Sequence, residues 1–221
     1  MYLSRVEIDS QNRAKTKDLT HLGAYHNWVE QSFPEEVSAG QRQRHLWRID
    51  QLAGKRYLLV LSAERPTIDG LEVYGVPGTA IVKSYDQLLN RLQQGQVLQF
   101  RLTANPVHTI TVPGKRQGRV VPHITVEQQR QWLIDRAEKL GFQLIKQTGL
   151  VDDQTTWAFD IVGREWVMLH RKANRGVRLS RVTFEGLLRI NDVSIFKQTL
   201  VKGVGREKAF GMGLLTVIPE A

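Results

Sequence analysis

The sequence predicts an α+β protein of two tandem ferredoxin-like (RRM-like) βαββαβ domains with a groove between them. Two observations predict this fold. Segments with strand-like alternation and segments with helical spacing follow one another in that order, and the order occurs in both halves of the chain. The 221 residues are enough for two domains of about 100 residues each. We place the boundary near Asn105-Pro106, which gives domains at 1–105 and 106–221.

The first half opens with a strand and an amphipathic helix. Apolar and polar side chains alternate over residues 2–8, and an apolar stripe at helical spacing ends before Pro34. The elements predicted for this half are a strand at 2–8, a helix at 22–33, strands at 45–50 and 56–61, a helix at 84–94 and a strand at 97–102.

The second half contains the clearest helix of the chain. Thr125 and Gln128 predict a capping box at its start, and Gly141 predicts its end. The elements predicted for this half are a strand at 109–112, a helix at 125–140, strands at 142–145, 157–162, 166–169 and 182–190, a helix at 193–202 and a strand at 214–218.

Composition favours a polyanionic partner. The formal net charge of +9 and the pI of about 10.0 favour nucleic acid first and an anionic membrane second. No apolar run is long enough to span a bilayer, and the first residues do not resemble a secretory signal, so we expect a cytoplasmic protein with no membrane partner. The absence of cysteine excludes disulfides, thiolate zinc sites and a cysteine nucleophile. The six histidines form no HExxH motif, and we predict neither a metal site nor a small-molecule cofactor.

A glycine-rich stretch at 203–213 predicts contact with a phosphate backbone. It has four glycines in eleven residues, together with Arg206 and Lys208, so backbone N–H groups and cations come together. Its spacing matches neither a Walker A loop nor GxGxxG, which argues against ATP. The competing interpretation is a plain connection in which Gly203 only caps a helix.

His26 is the candidate for proton transfer. An imidazole titrates near neutral pH and can deprotonate a 2′-hydroxyl or protonate a leaving 5′-oxygen of RNA. Two interpretations of its position stay open. His26 shares a stripe with Leu22 and Val29, which favours a packed core residue; alternatively, Gly23 delays the helix start and leaves His26 in the first turn, where an N-terminus favours the neutral ring.

Basic residues cluster twice in the second half. One cluster surrounds Gly114 and Gly118, and residues 164–189 carry seven basic residues against two acidic ones. Such loops contact phosphates of double-stranded RNA, although a solvated surface is the usual meaning of a single charge run. The aromatic pattern of an RRM-type RNA platform is absent from the sequence.

Five segments carry a resemblance to a known family. They are Met1-Tyr-Leu-Ser-Arg-Val6, His26 with Phe33-Pro34, Phe100-Arg-Leu-Thr-Ala-Asn-Pro106, Val182-Thr-Phe-Glu-Gly186 with Ile190-Asn-Asp192, and 203–215. In this order they resemble the CasE family, the CRISPR repeat endoribonuclease of the type I-E Cascade complex. The resemblance implies two ferredoxin-like domains and a single metal-independent cut near the base of a repeat hairpin. It also implies 2′,3′-cyclic phosphate and 5′-hydroxyl ends, and a product that stays bound as guide RNA with other Cascade subunits.

The resemblance also assigns residues. His26 falls on the catalytic histidine of the family, and Lys208 falls on a lysine of its glycine-rich stretch. Members of the family carry a tyrosine three residues before the histidine, where this chain has Gly23, and we take Tyr25 as the substitute. The residues expected to bind RNA are Arg101, Lys115, Arg116, Arg119, Arg171, Lys172, Arg175, Lys202, Gly203, Gly205, Arg206, Gly211 and Gly213.

Two other functions remain open. A non-catalytic subunit that only caps the guide RNA would share the basic loops but would use His26 for packing. A DNA-binding regulator would suit the charge, yet the sequence has no evident recognition-helix motif.

Overall fold

The computed structural model of the protein describes residues 1–111, 113–114, 116–148, 155–171 and 174–219. Contacts divide the chain into two compact units. Unit 1 contains Met1–Arg91 and Glu207–Leu214, and unit 2 contains Leu92–Arg206 and Leu215–Ala221. The glycine-rich stretch is therefore shared, with its first residues in unit 2 and the rest in unit 1. The described parts contain no helix with both the length and the apolar character needed to cross a bilayer.

Unit 1 is a four-stranded antiparallel sheet with helices. Its elements are β1 (Tyr2–Glu7), α1 (Arg13–Thr16), α2 (Leu22–Gln31), α3 (Pro34–Ala39), β2 (Leu46–Leu52), β3 (Lys55–Ser62), α4 (Ile68–Glu72), β4 (Ile81–Ser84) and α5 (Asp86–Arg91). The strand order is β2-β3-β1-β4, and all pairs are antiparallel. With α2 and α4 as the two connecting helices, this is the predicted βαββαβ topology. The helix predicted at 84–94 is α5, which follows β4, so the second connecting helix is α4 and not the predicted one.

β1, β3 and α2 bury their apolar side chains in one core of unit 1. Val6, Trp28 and Val29 are fully buried, as are the facing residues Leu58 and Val60 of β3. Alternation along the strands and the helical stripe on α2 thus supply one continuous core.

The fourth strand of unit 1 differs from the prediction. It is β4, whereas the predicted strand at 97–102 lies in unit 2. β4 has four residues, none of them buried, so it carries no alternating pattern that sequence inspection could detect. The predicted boundary near Asn105-Pro106 accordingly differs from the division by contacts, which falls after Arg91.

Unit 2 repeats the topology around a larger sheet. Its elements are β5 (Val97–Ala104), β6 (Val107–Ile110), β7 (Arg119–Pro122), α6 (Val126–Ala137), β8 (Phe142–Leu144), β9 (Lys146–Thr148), β10 (Thr155–Trp157), β11 (Phe159–Arg171), β12 (Asn174–Ile190), α7 (Val193–Lys202) and β13 (Leu215–Pro219). The sheet order is β11-β12-β5-β13, and β8 pairs with the end of β12. Since β5, α6, β11, β12, α7 and β13 take the six positions, the prediction of tandem ferredoxin-like folds is confirmed.

Three predicted strands of unit 2 differ from the observed elements. The segment predicted as its first strand is β6, which forms a separate two-stranded ribbon with β7. The two strands predicted at 157–162 and 166–169 are one strand, β11, whose pairing with β12 shifts between Ile161 and Gly163. This irregularity interrupts the period-2 pattern, which is why the sequence appeared to contain two strands.

Helix ends in unit 2 agree with the sequence. Thr125 and Gln128 form both hydrogen bonds of the capping box at the start of α6. α7 has the predicted bounds, begins at an Asp192 cap and ends at Gly203, whose N–H donates to the carbonyl of Thr199 at 2.9 Å.

Candidate active site

The start of α2 fixes the position of His26. The side-chain Nδ1 of His21 accepts a hydrogen bond from the backbone N–H of Ala24 at 3.2 Å and caps the helix. α2 therefore begins at Leu22, and His26 lies in its second turn, so the expectation that Gly23 would leave it in the first turn is wrong. A Cβ at Gly23 would lie 3.0 Å from the His21 ring, so glycine leaves space for the capping imidazole.

His26 lies at the edge of the apolar stripe and not inside it. Leu22 and Val29 are buried, but the His26 side chain is 34% exposed. Its Nδ1 is buried without a hydrogen-bond partner, 3.8 Å from Oε1 of Glu30, which is too long for a hydrogen bond. Because Nδ1 is the buried nitrogen, the accessible part of the ring lies on the Nε2 side.

Burial keeps the His26 ring neutral. Desolvation by burial lowers its pKa below the usual 6.5, the nearby Arg42 and His45 lower it further, and the carboxylate of Glu30 only partly opposes them. A neutral imidazole at neutral pH is the form that accepts a proton.

The second part of the glycine-rich stretch packs beside His26. Residues 208–210 form a 3₁₀ turn in which the Phe210 ring lies 6.0 Å from the His26 ring. Lys208 is the first residue of this turn and is partly buried. This burial, together with the charge of Arg44, lowers the pKa of Lys208 below its usual value. The structure thus brings His26 and the turn that carries Lys208 together within unit 1.

Strand β2 holds this stretch at two points. Nε1 of Trp47 donates to the carbonyl of Ala209 at 3.0 Å, and Nη1 of the buried Arg48 donates to the carbonyl of Leu214 at 2.9 Å. Gly211 adopts φ +73°, and a Cβ there would lie 2.6 Å from the Trp47 ring, so only glycine fits between the two contacts.

His45 joins Glu30 and Glu36 in a buried bridge next to His26. The Nδ1 of His45 contacts Oε1 of Glu30 at 2.9 Å, and its Nε2 contacts Oε1 of Glu36 at 3.3 Å. The His45 ring stacks on Phe33 with centroids 3.8 Å apart. Burial alone would raise the pKa of Glu30, but the hydrogen bond and charge of His45 outweigh this effect and lower it. The Glu30 carboxylate therefore stays ionised beside His26.

Tyr25 does not reach this site. The residue is 6% exposed, its ring stacks on Trp47 at 6.1 Å, and its hydroxyl accepts a hydrogen bond from Nη2 of Arg56 at 3.0 Å. The geometry gives Tyr25 a packing role, and its selection as a substitute for the missing tyrosine has no structural support.

The four selected glycines divide between surface and core. Gly203 caps α7, so that part of the competing interpretation holds, and Gly205 is exposed with φ +79° in the following turn. Gly211 and Gly213 are buried, with φ of +73° and +92°. Their burial and positive φ give them a backbone role in packing the stretch on β2, and their contact with RNA stays a prediction.

The other residues expected to bind RNA lie in unit 2. Arg206 is exposed and lines a cavity of about 480 Å³ with His108, Arg136 and Gly205. Arg101 is partly exposed on β5 and forms an ion pair with Glu185. Arg116 and Arg119 are exposed on the β6–β7 ribbon, and Lys202 is exposed at the end of α7. Arg171 is the last residue of β11, and Arg175 is the second residue of β12. Lys115 and Lys172 lie outside the described residues.

Sequence inspection missed two residues whose charges act on this site. Arg42 and Arg44 are exposed, and their charges act on His26 and Lys208, respectively. The only signal was the run Gln41-Arg-Gln-Arg44 directly before His45, which is too short to distinguish from an ordinary solvated surface. In the described part of the chain, no group of three or more potential metal ligands occurs.

Comparison with known proteins shows similarity over the whole chain. Residues 1–219 match the model of a family described as CRISPR associated protein. The CRISPR-associated endoribonuclease Cse3 of Thermus thermophilus is 30% identical over 99% of this chain and 100% of its own length. The Cascade subunit CasE of Escherichia coli is 29% identical with the same coverage. A solved structure of Thermus thermophilus Cse3, bound to an RNA representing a pre-cleavage complex, has 27% identity, covers 99% of this chain and 98% of that one, and gives a TM-score of 0.77.

Proposed function

The chain belongs to the CasE family of CRISPR-associated proteins, and from that premise we propose that it is an endoribonuclease that cuts CRISPR repeat RNA for Cascade. The observation that carries the proposal for this chain is the pairing of a neutral, partly exposed His26 with the turn that holds Lys208. A proton acceptor and a cation beside it are the two groups that RNA cleavage by transesterification requires.

His26 acts as the general base. The negative Glu30 carboxylate next to the buried Nδ1 favours the tautomer with the proton on Nδ1. Nε2 then carries the lone pair on the accessible side of the ring and takes the proton of the attacking 2′-hydroxyl.

The reaction balances without a further reagent. The 2′-oxygen forms a bond to the adjacent phosphorus while its proton moves to His26, and the bond from phosphorus to the 5′-oxygen breaks. The leaving 5′-oxygen takes up a proton from water and protonated His26 returns its proton to solvent, which gives a 2′,3′-cyclic phosphate and a 5′-hydroxyl. Lys208 stabilises the negative charge that develops on the phosphorane oxygens.

With His26 as the base and Lys208 as the stabilising cation, the reaction is metal-independent. A bound metal ion would supply an activated nucleophile or charge stabilisation, and here His26 and Lys208 supply both. Arg116 and Arg119 of the β6–β7 ribbon, with Arg206, bind the hairpin through its phosphates, and the enzyme keeps its product as a Cascade subunit.

A single 2′-deoxy substitution in the repeat tests the reaction type. Removing the 2′-hydroxyl at the cleavage position removes the nucleophile, so cutting should stop while the hairpin binds as before. Cleavage is followed on a denaturing gel and binding by a native gel shift, with a 2′-deoxy substitution one nucleotide away as the matched control. Continued cutting of the substituted hairpin would exclude attack by the 2′-oxygen and point to water as the nucleophile.

A further inference from the structure

Arg42 and Arg44 have no part in the mechanism above, although both act on its groups. We propose that they bind the phosphate at the cleavage position, and that the Glu30–His45–Glu36 bridge holds the segment that presents them. The inference rests on the proposed ribonuclease function and adds two substrate-binding residues to it.

In the segment 41–44, the glutamines line a cavity and the arginines do not. Gln41 and Gln43 line a cavity of about 380 Å³ together with Phe33 and Pro34. The arginines between and after these glutamines do not line that cavity, and both are exposed. This alternation is the one expected of an extended segment, in which successive side chains point in opposite directions.

Each arginine acts on a different group of the site. The charge of Arg42 reaches His26 and Glu30, and the charge of Arg44 reaches Lys208. One arginine therefore lies on the proton-transfer side and the other on the side of the charge-stabilising lysine. Geometry connects the segment to the same site, because the contacts from Gln43 to Glu36, His45 and Glu30 lead to within 3.8 Å of the His26 ring. A phosphate held by these cations would therefore lie near His26.

Four contacts hold the segment on its buried side. The backbone N–H of Gln43 donates to Oε2 of Glu36 at 2.8 Å, and Oε1 of the same carboxylate contacts His45. His45 is bound at its other nitrogen by Glu30 and stacks on Phe33. The backbone of Gln43, which lies between the two arginines, is thus tied to Glu36, and His45, which follows Arg44, is buried, while both arginines are exposed.

This arrangement suits recognition of phosphate. A guanidinium stays charged at all relevant pH values and binds phosphate oxygens in a bidentate fashion, and anchored neighbours reduce the entropy lost on binding. A bound phosphate would also neutralise repulsion among cations that lie close together without it. Arg42 and Arg44 are therefore substrate-binding residues, and Glu36 and His45 are positioning residues.

Single-turnover cleavage of the repeat hairpin tests the arginines. The double variant Arg42→Gln/Arg44→Gln is expected to cut about 10²-fold more slowly than wild type because it loses charge stabilisation at the phosphorus. Arg65→Gln is the matched control, because this exposed arginine lines the cavity on the opposite side of the segment and should cut at the wild-type rate.

The pH dependence separates the two arginines. The groups that face His26 are Glu30 on its own helix, Arg42 and His45 on the adjoining segment, and the turn of Lys208 through Phe210. Because Arg42 lowers the pKa of His26, Arg42→Gln should raise it and move the acidic fall in rate to higher pH. Arg44→Gln should leave this limb in place.

Binding of the 2′-deoxy hairpin gives a readout that does not depend on cleavage. Each arginine that contacts a phosphate contributes about one to the slope of log affinity against log salt, so each single variant should lose about that much. Unchanged slopes together with wild-type rates would overturn the assignment of the arginines, while cutting by the wild-type protein would leave the proposed function intact. Failure of the wild-type protein to cut, with reduced slopes in the variants, would reject the function and keep the phosphate contact.

Discussion

His26→Ala is expected to cut repeat RNA about 10²- to 10⁴-fold more slowly than wild type, with unchanged affinity for the hairpin. The reason is that Nε2 is the proton acceptor for the 2′-hydroxyl, whereas the phosphate-binding cations lie on other elements. The side chain is partly exposed and its Nδ1 has no hydrogen-bond partner, so its removal should cost little stability. Single-turnover rates and a native gel shift on the same hairpin measure the two effects separately.

His21→Ser is the matched control for this variant. It removes a histidine five residues away, and serine is among the residues that cap helices best, so α2 should start at the same residue and cutting should continue. A His26→Ala protein that cuts at the wild-type rate would remove His26 from the mechanism and restore its interpretation as a packing residue.

Arg48→Met is expected to lower the free energy of unfolding by about 3 kcal/mol, the lower end of the range for breaking a buried ion pair. Arg48 is 1% exposed, donates to both carboxylate oxygens of Asp50 at 2.6 and 2.8 Å, and donates to the carbonyl of Leu214. The variant leaves the Asp50 charge and one carbonyl without this partner. Asp50 is partly exposed, so solvent limits the loss.

Urea denaturation and thermal melting measure the effect of Arg48→Met. A loss of this size corresponds to a fall of roughly 6–12 °C in Tm for a chain of this length. Arg48→Met/Asp50→Asn should recover part of the loss because the Asp50 charge is removed together with its guanidinium partner, and Arg65→Met at an exposed site should stay within about 0.5 kcal/mol of wild type. If Arg48→Met is as stable as wild type, then this ion pair does not anchor the end of the glycine-rich stretch.

Local signals made the helices of unit 2 predictable. Thr125 with Gln128, Asp192 and Gly203 cap these helices, and each lies at or next to the helix end that it caps. Such caps can be read from a few consecutive residues. The pairing of β5 was not predictable, because its apolar pattern indicates a buried strand without indicating its sheet. β4 and α4 were missed because elements of four or five residues, with at most one of them buried, carry too little periodicity.

The sequence could predict only those residues of the active site whose side-chain type indicates a chemical role. His26 and Lys208 stand out as a titratable ring and a cation in a glycine-rich stretch. The packing of Tyr25 and the burial of Gly211 depend on Trp47, which is distant in sequence from both, and no local pattern reports such contacts. The proposed role of Arg42 could not be predicted from the sequence, because it depends on the buried contacts of Glu36 with the Gln43 backbone and with His45.

Incubation of the purified protein with its repeat hairpin in EDTA is the most direct test of metal-independent cleavage by His26 and Lys208. A denaturing gel and mass spectrometry of the fragments should show one cut near the base of the stem, with 2′,3′-cyclic phosphate and 5′-hydroxyl ends. Intact RNA in EDTA together with a shifted native band would instead identify a subunit that binds the hairpin without cutting it. Cutting that appears only after Mg²⁺ is added would contradict the role given to the two side chains.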